Sequence, residues 1–376
     1  MVIQDPKTVG YSMGRARRAR YRWMAAGMAL SVLCSSCLSS RGVPPDIALK
    51  ISSSGRVVDG RGMAALYAPL QEKEPYGGVR ISRDESYGPA PQNRADVFSP
   101  QDRPDRQRPV LIFVHGGGFT AGARKLSPDS PFYDNVGVWA VRHGLIGITL
   151  SYRLAPQSRW PSAAEDIGRA VEWVHRTIEA RGGDPTRIFL MGHSAGATHV
   201  ASYVSHTQFG PNGCLDIRGA IIVSGSFDVT LGEGPADEKS FVEREAAYFI
   251  EDPARQAEQS SIAGLLASPV PLLVVNAEYD PHYFLRRAAA LQAAFERSHR
   301  ADRFVVLTGE SHMSEVFSIN SKDDSLTREI ARFIRRNPDA REGACPQRAP
   351  PRTATFRVPA ESLSRSSPEM PLASIP

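Results

Sequence analysis

The sequence predicts an α/β fold: a mostly parallel central sheet with helices on both faces and a small or minimal cap. The first observation behind this prediction is a series of short apolar runs that alternate with helical stretches. The second is that these runs are apolar at almost every position, which is typical of parallel strands buried on both faces. The predicted core strands span residues 110–114, 145–150, 188–191, 220–223, 272–275 and 304–307.

Alternating apolar residues at 78–81 and 95–98 predict two edge strands ahead of the first core strand. The clearest helix begins near Ser162, which has capping-box spacing with Glu165 and is followed by apolar residues on one face. The segment 231–268 is predicted to be a short excursion over the functional site. Further helices are predicted over 195–204, 241–250, 286–297 and 326–334.

Composition divides the chain into four parts. Residues 1–37 are predicted to form a leader, 38–75 a linker and irregular N-terminal segment, 76–338 the α/β domain, and 339–376 a disordered tail. The tail is rich in Pro, Arg and Ser, a composition that cannot bury a core. With 376 residues, the chain is long enough to build a substantial core in the α/β domain.

The leader resembles a bacterial lipoprotein signal. Basic residues within 15–22 precede an apolar segment at 23–33, which is too short to span a bilayer comfortably. Small residues then precede Cys37, the predicted lipidation site, with Cys34 as a second candidate. We therefore expect an exported protein with a lipid anchor, on the periplasmic or extracellular side of the membrane. An ordinary cleaved signal, an uncleaved anchor and a segment that is not a signal are the alternatives.

The charge balance gives no indication of a nucleic-acid partner. The formal net charge of +5 arises in the leader, because residues 1–36 hold six basic residues against one acid and the rest of the chain is neutral. Two cysteines lie beyond the leader, Cys214 and Cys345. An exported location would permit a disulfide between them, and two unpaired thiols are the alternative.

A nucleophile motif lies between a predicted strand and a predicted helix. Gly192-His193-Ser194-Ala195-Gly196 matches Gly-x-Ser-x-Gly, in which the serine occupies a sharp, strained turn. Gly192 and Gly196 are required because side chains there would collide with the neighbouring strand and helix. The motif by itself is a weak signal, since a chain of this composition contains one by chance in about one case in four.

A second glycine motif, His115-Gly116-Gly117-Gly118, follows the first core strand and strengthens the prediction. An oxyanion-hole loop follows an earlier strand than the nucleophile in sites of this kind. We expect the backbone N–H groups of Gly117, Gly118 and Ala195 to bind an oxyanion, because glycine lets the backbone approach a substrate. His115 is predicted to hold the shape of the loop.

An acid and then a histidine are expected after the nucleophile. His312 directly follows the last core strand and is the predicted base. Asp280, in the turn after the preceding strand, is the predicted acid; Glu278 is the fallback and Asp228, one strand earlier, is a variant position. The remaining downstream histidines are not predicted to react: His199, His206, His282 and His299.

These residues resemble the α/β-hydrolases of the hormone-sensitive-lipase and carboxylesterase-like group. Besides the two glycine motifs, the chain carries SYRLAP at 151–156 and WPSAAED at 160–166, similar to the segment that follows the oxyanion-loop strand in that group. The resemblance covers about residues 90–335. Asp96-Val97-Phe98 and the residues after His312 are similar to the small-cap, feruloyl-esterase-like and formamidase-like branch.

The resemblance implies hydrolysis of small carboxylic esters with no cofactor and no metal. Ser194 would attack the carbonyl, His312 would take its proton, and Asp280 would orient the imidazole. Thr198 stands where Gly or Ala is usual before a His, and we expect this departure to affect packing more than chemistry.

Two other functions fit the same residues. The same three side chains could cleave an amide or formamide, as in a peptidase or an arylformamidase. A non-catalytic ligand-binding member of the fold is the third interpretation, against which the complete Ser, His and Asp set argues. Aromatic candidates for the pocket are Phe119, Tyr152, Tyr279 and Tyr283.

Overall fold

A single sheet organises the described part of the chain. The computed structural model describes residues 43–102, 104–229, 238–250, 252–300 and 302–338. The strands within these ranges are β1 Val79–Ser86, β2 Arg94–Pro100, β3 Arg108–Val114, β4 Ile146–Leu150, β5 Gly183–His193, β6 Gly219–Val223, β7 Leu272–Tyr279 and β8 Arg303–Ser311. The predicted leader, its Cys37 and the predicted tail lie outside the described residues.

Helices cover both faces of this sheet. Those in the described ranges are α1 Pro45–Ser54, α2 Gly60–Tyr67, α3 Asp134–Arg142, α4 Ser162–Thr177, α5 Ala195–Ser205, α6 Lys239–Tyr248, α7 Pro253–Gln259, α8 Ile262–Ala267, α9 His282–Arg297, α10 Ser314–Phe317 and α11 Ser325–Arg336. None of these helices has the length and apolar character needed to cross a membrane.

The strand order is β1-β2-β4-β3-β5-β6-β7-β8. Strands β4 to β8, together with β3, pair in parallel, whereas β1 and β2 pair antiparallel at one edge. The predicted α/β fold with a mostly parallel sheet is therefore confirmed. Loops at the carboxyl ends of the parallel strands meet at one edge of the sheet, where α/β proteins build their sites.

Alternate residues of the central strands enter two separate cores. In β3, Val110 and Ile112 belong to one apolar cluster, with α4 and α5, whereas Leu111 and Phe113 belong to the cluster on the other face. Burial on both faces explains why these strands are apolar at nearly every position. The same alternation accounts for the success of the strand predictions.

Helix α4 has the predicted apolar face but not the predicted cap. Ile167, Val171 and Val174 are buried in the core, as the helical spacing indicated. The capping-box prediction was wrong, because the helix starts one residue earlier than that motif requires: Ser162 is already its first residue, and Pro161 occupies the N-cap without a side-chain cap. Glu165 instead accepts a hydrogen bond from Arg153, at 2.9 Å.

The N-terminal segment differs from its prediction. Residues 38–75 were expected to be a linker with irregular structure, yet α1 and α2 occupy most of the described part. Each helix buries one pair of residues at i, i+4 spacing, Ile47 with Ile51 and Met63 with Tyr67, in the core cluster that contains Phe113. Two such short amphipathic helices depend on tertiary packing, since isolated helices of this length are marginal in water.

Candidate active site

The nucleophile turn lies between β5 and α5. Ser194 adopts φ 55° and ψ −124°, a strained conformation for a residue with a side chain. Its N–H donates to the carbonyl oxygen of Val223, at 2.9 Å, which ties the turn to β6. The strain is therefore held by the sheet on one side and by the start of the helix on the other.

Both glycines of the motif are required by close backbone contacts. A Cβ atom on Gly192 would lie 2.3 Å from the carbonyl oxygen of Gly196, in the first turn of α5. A Cβ atom on Gly196 would lie 2.1 Å from the carbonyl oxygen of Val114, at the end of β3. No side chain fits at these distances, so helix α5 can approach the strands only with glycine at both positions.

Three side chains from separate strand ends form a hydrogen-bonded chain. Ser194 Oγ lies 2.9 Å from His312 Nε2, and His312 Nδ1 lies 2.8 Å from Asp280 Oδ1. Asp280 and His312 are buried, whereas Ser194 is partly exposed. The structure thus brings together the predicted nucleophile, base and acid.

Asp280 is held as a carboxylate by several donors. Its Oδ2 accepts hydrogen bonds from Ser224 Oγ at 2.5 Å, Asn276 Nδ2 at 3.0 Å and the N–H of Ala277 at 3.0 Å. Burial alone would raise the pKa of Asp280, but the hydrogen bonds from His312 and these donors outweigh it and hold the pKa below its usual value. Asp280 is therefore charged where it contacts His312.

The two alternative acids lie elsewhere. Glu278 accepts a hydrogen bond from the N–H of Gly309, at 2.8 Å, and Asp228 is 3.4 Å from Ser260 Oγ. Among the described carboxylates, Asp280 is the one that contacts His312. Asp280 also does not cap the following helix, since the N-cap of α9 is Pro281.

A second carboxyl group lies behind Asp280, and sequence reasoning missed its role. Ser224 Oγ lies 2.6 Å from Glu315 Oε1 as well as 2.5 Å from Asp280. A hydroxyl carries one proton and donates to only one oxygen, so one carboxyl group must be protonated and donate to Ser224. Burial and the nearby charge of Asp280 raise the pKa of Glu315 well above its usual value. Glu315 is therefore the neutral member.

His193, inside the Gly-x-Ser-x-Gly motif, is a second residue that sequence reasoning missed. Its Nε2–H donates to the carbonyl oxygen of His312, at 2.7 Å. Burial and the proximity of His312 lower the pKa of His193 to about 3, so the ring is neutral. This bond joins the nucleophile turn directly to the loop that carries the predicted base. The motif position was the only sequence signal for it.

The loop after β3 is shaped by His115. Its Nδ1–H donates to the carbonyl oxygen of Gly116, at 2.6 Å, and burial lowers its pKa to about 4. Tyr152 donates its hydroxyl to the carbonyl oxygen of His115, at 2.8 Å. A Cβ atom on Gly116 would lie 2.9 Å from Ser194 Cβ, so the loop passes directly beside the nucleophile.

A cavity of about 320 Å³ opens beside Ser194 and His312. Gly117, Gly118 and Ala195 line it, and within the described chain their N–H groups have no backbone or side-chain acceptor. These donors are available to an oxyanion of a bound substrate. The remaining wall is largely apolar and aromatic, formed by Val58, Phe119, Ala121, Leu126, Tyr133, Phe241, Tyr283, Phe284 and Met313.

Of the four aromatic candidates from the sequence, Phe119 and Tyr283 line this cavity, whereas Tyr152 and Tyr279 do not. Thr198 also lines it, and its Oγ1 accepts a hydrogen bond from the N–H of Ser226, at 3.0 Å. The unusual threonine therefore fixes a loop beside the cavity.

One group of potential metal ligands occurs in the described ranges. The ligating atoms of His193, His312 and Glu315 lie within 4.8 Å of one another. However, both nitrogens of His312 are engaged with Ser194 and Asp280, and His193 Nε2 donates to a carbonyl. The hydrogen-bond network explains this group without an ion.

A family model of the α/β hydrolase fold matches residues 111–315, more than half of the chain. The chain belongs to the α/β hydrolase fold family. The matched segment contains both glycine motifs, Asp280 and His312. The family predicted from these residues is therefore confirmed.

The curated relatives of this α/β hydrolase include named esterases. Esterase LipQ of Mycobacterium tuberculosis is 25% identical over 287 residues, covering 71% of this chain and 66% of LipQ. Para-nitrobenzyl esterase of Bacillus subtilis is 29% identical over 213 residues, covering 49% and 42% of the two chains. The isoprenylcysteine alpha-carbonyl methylesterase ICME of Arabidopsis thaliana is 34% identical over 123 residues, 33% of this chain and 27% of ICME. The chain thus spans about two thirds or less of the length of these relatives.

Solved structures show the same fold. Esterase B from Lactobacillus rhamnosis superimposes with a TM-score of 0.62 at 16% identity, covering 78% of this chain and 97% of that one. A bacterial heroin esterase superimposes with a TM-score of 0.59 at 20% identity, covering 80% of this chain and all of that one. At these identities the likeness supports the architecture, and the site must be argued from its own geometry.

Proposed function

We propose that this α/β hydrolase is a serine carboxylesterase that cleaves short-acyl or aryl carboxylic esters. The observation that carries the proposal is the hydrogen-bonded chain from Ser194 through His312 to Asp280, at 2.9 and 2.8 Å. Ser194 and His312 line a cavity that is also lined by three backbone N–H groups, and these N–H groups have no acceptor among the described residues. The esterase names of the relatives support the same class of reaction.

In the acylation step, Ser194 Oγ attacks the ester carbonyl carbon while His312 Nε2 takes the hydroxyl proton. The charged Asp280 keeps the other proton on Nδ1 and stabilises the imidazolium that forms. The tetrahedral intermediate collapses when His312 returns the proton to the leaving alcohol. A water molecule then repeats the sequence on the acyl-serine, which releases the carboxylic acid and restores the enzyme.

The N–H groups of Gly117, Gly118 and Ala195 would bind the oxyanion of both tetrahedral intermediates. Each such donor contributes about 3–4 kcal/mol to transition-state stabilisation in comparable sites. The donors belong to a loop held by His115 and to the first turn of α5, so little reorganisation is needed during the reaction. The aromatic lining suits an apolar acyl or aryl group.

We also propose export of the protein, with lipid anchoring at Cys37. The leader pattern supports export, and so does the disulfide bond of Cys214, since disulfides persist in oxidising compartments. The other three cysteines lie outside the described residues. Membrane fractionation of the Cys37→Ala and Cys34→Ala variants tests the anchor: loss of membrane association in the first variant alone is expected, and retention in both would contradict it.

The first test of the esterase proposal is hydrolysis of p-nitrophenyl esters from acetate to palmitate by the wild type and by Ser194→Ala. We expect activity on the short chains, a decline with chain length, and loss of several orders of magnitude in the variant. Equal inactivity of the two proteins across the series would contradict ester hydrolysis. Activity on paired anilides or formamides, without ester activity, would assign the amide function instead.

A further inference from the structure

One cation lines the cavity without a charge partner. The guanidinium group of Arg244, on α6, belongs to the cavity wall, and within the described chain it has neither an ion pair nor a hydrogen bond. Two arginines of α9 are paired with acidic residues: Arg286 with Glu238, and Arg287 with Glu245, the residue after Arg244, at 3.1 Å. Arg244 therefore differs from the other arginines of this region.

Arg244 lies against the oxyanion loop. A Cβ atom on Gly118 would be 2.6 Å from Cδ of Arg244 and 3.1 Å from its Nη1. Gly118 has φ +58°, and its N–H is one of the three proposed oxyanion donors. The absence of a side chain at Gly118 thus leaves the space in which the arginine lies, directly beside one of the three proposed oxyanion donors.

Helix α6, which carries Arg244, is held in place by contacts of two other residues of the helix, Glu245 and Phe241. Glu245, the residue after Arg244, accepts a hydrogen bond from Ser226 Oγ at 2.5 Å and from Arg287 Nη2 at 3.1 Å, all three being buried. Phe241 stacks on Tyr283 with 5.1 Å between ring centroids. These contacts set the position of α6 over the cavity, so the site for Arg244 is built into the fold.

Arg244 gives the described lining of the cavity a positive charge that no acidic residue of the lining balances. The described lining contains no Asp or Glu, and its two histidines are His193, which is neutral, and the proposed base His312. An arginine at the edge of an apolar cavity provides a planar, permanently charged donor for a carboxylate. Polar groups of this kind set orientation and specificity in otherwise apolar pockets.

We propose that Arg244 selects anionic esters, in which a carboxylate on the acyl or alcohol part pairs with its guanidinium while the scissile carbonyl lies in the oxyanion hole. This inference rests on the proposed esterase function and names its substrate class. Arg244 is then a specificity-determining residue, and neutral esters of the same size are poorer substrates.

Two matched substrate pairs test this inference. Monophenyl glutarate and its methyl ester differ in an acyl-side charge, and 4-acetoxybenzoate and its methyl ester differ in a charge on the leaving group. For each pair the measured quantity is the ratio of kcat/KM for the anionic and neutral esters, by release of the phenol. The proteins are the wild type, Arg244→Gln, Arg244→Lys and the control Arg176→Gln, which removes an exposed arginine of α4 that pairs with Glu172.

We expect the ratio for at least one pair to fall about tenfold in Arg244→Gln, to recover partly in Arg244→Lys, and to match the wild type in Arg176→Gln. The pair that responds identifies the side that carries the charge. Added salt should lower the wild-type ratio but not that of Arg244→Gln, because the guanidinium is exposed to screening.

The outcomes separate this inference from the proposed function. If the wild type hydrolyses the neutral esters in a Ser194-dependent manner, and the ratio is the same in Arg244→Gln, esterase function stands and the anionic class is overturned. Equal losses on anionic and neutral esters also overturn it, since they assign Arg244 to the loop or the oxyanion. If no ester of either pair is hydrolysed, both proposals fall together.

Discussion

Two groups of segments form the cavity, and they are built differently. The strand-end loops, which carry Ser194, Asp280 and His312, are buried or nearly so and are joined by hydrogen bonds across the sheet edge. The covering segments are α6 and the connection between α1 and α2; they contribute Phe241, which is half-buried, and Arg244, which is exposed. The reacting side chains are held by hydrogen bonds to one another, whereas Phe241 is held by ring packing on Tyr283 and Arg244 has no hydrogen-bond partner among the described residues.

From this difference we expect the strand-end loops to carry out the reaction and the covering segments to select the substrate. Reacting groups must be held in place by other side chains, because a small displacement removes much of the catalytic advantage. Segments that only contact the substrate tolerate variation, as loops on a rigid scaffold do. We therefore expect substitutions behind the strand ends to lower kcat, and substitutions in the covering segments to change which substrate is preferred.

The largest effect is expected for Asp280→Asn. Loss of the charged acceptor leaves His312 without its orienting partner, and kcat should fall about 10⁴-fold with the fold intact. The control is Glu278→Gln, which removes a carboxylate two residues away that contacts Gly309 instead. Steady-state kinetics on p-nitrophenyl acetate distinguish the two, and a larger loss in the Glu278 variant would show that the acid has been misassigned.

A smaller loss is expected for His193→Ala. Without the hydrogen bond from Nε2 to the carbonyl of His312, the loop that carries the base is free to shift, and kcat should fall about 10²-fold. His282→Ala, at the exposed first position of α9, is the matched control and should behave like the wild type. An unchanged kcat in the His193 variant would mean that other contacts suffice to hold the loop.

The N-terminal segment should contribute least to the reaction. Arg56 Nη1 donates to the carbonyl oxygen of Asp280, at 2.8 Å, from the connection between α1 and α2. Arg56 also donates to the carbonyl oxygen of Glu278, and because neither of these two hydrogen bonds is fully buried, Arg56→Ala should lower kcat by about two- to tenfold. Thermal unfolding of the same variant serves as the control for misfolding. A loss as large as that of Asp280→Asn would show that this segment holds the reacting groups as firmly as the strand-end loops do.

The protonation state of Glu315 can be tested through the pH dependence of the protein's stability. Its pKa in the folded protein is raised above the usual value of 4.5, so its stabilising contribution is complete below that pH and is lost as the pH rises towards the folded value. Glu315→Gln keeps a donor to Ser224 and cannot ionise. As the pH rises from about 5 to about 8, the variant should therefore lose less stability than the wild type. Each kcal/mol of difference in the free energy of unfolding should appear as a difference of about 3 °C in Tm.

Thermal melts at both ends of this pH range measure the difference, with Glu258→Gln, whose side chain is exposed, as the control. The activity of Glu315→Gln should stay close to that of the wild type, because the neutral amide replaces a neutral carboxyl group. A parallel pH dependence of Tm in the two proteins would indicate that Glu315 is charged in the fold.

Much of the site was predictable because its signals are local. Gly192, Gly196 and the glycines after His115 report a backbone that no side chain can enter, and His312 directly follows a strand. Ser224 and Glu315 were missed because their contacts join residues 56 and 91 positions apart, and His193 because its partner is 119 positions away. The helices α1 and α2 were missed because each has only two buried positions, too few to establish a period.

Short sequence patterns were sufficient to predict the α/β fold, the turn that carries Ser194 and the loop beside it, since strand hydrophobicity and glycine requirements are properties of short segments. The tertiary structure decided between the predicted Asp280 and its fallback Glu278, since the two lie two residues apart at the end of β7 and Asp280 is the one that contacts His312. It also decided that Arg244 reaches the cavity, because that contact depends on how α6 packs against α9 and the loop after β3. Pairings between distant segments arise from packing, and no local pattern encodes them.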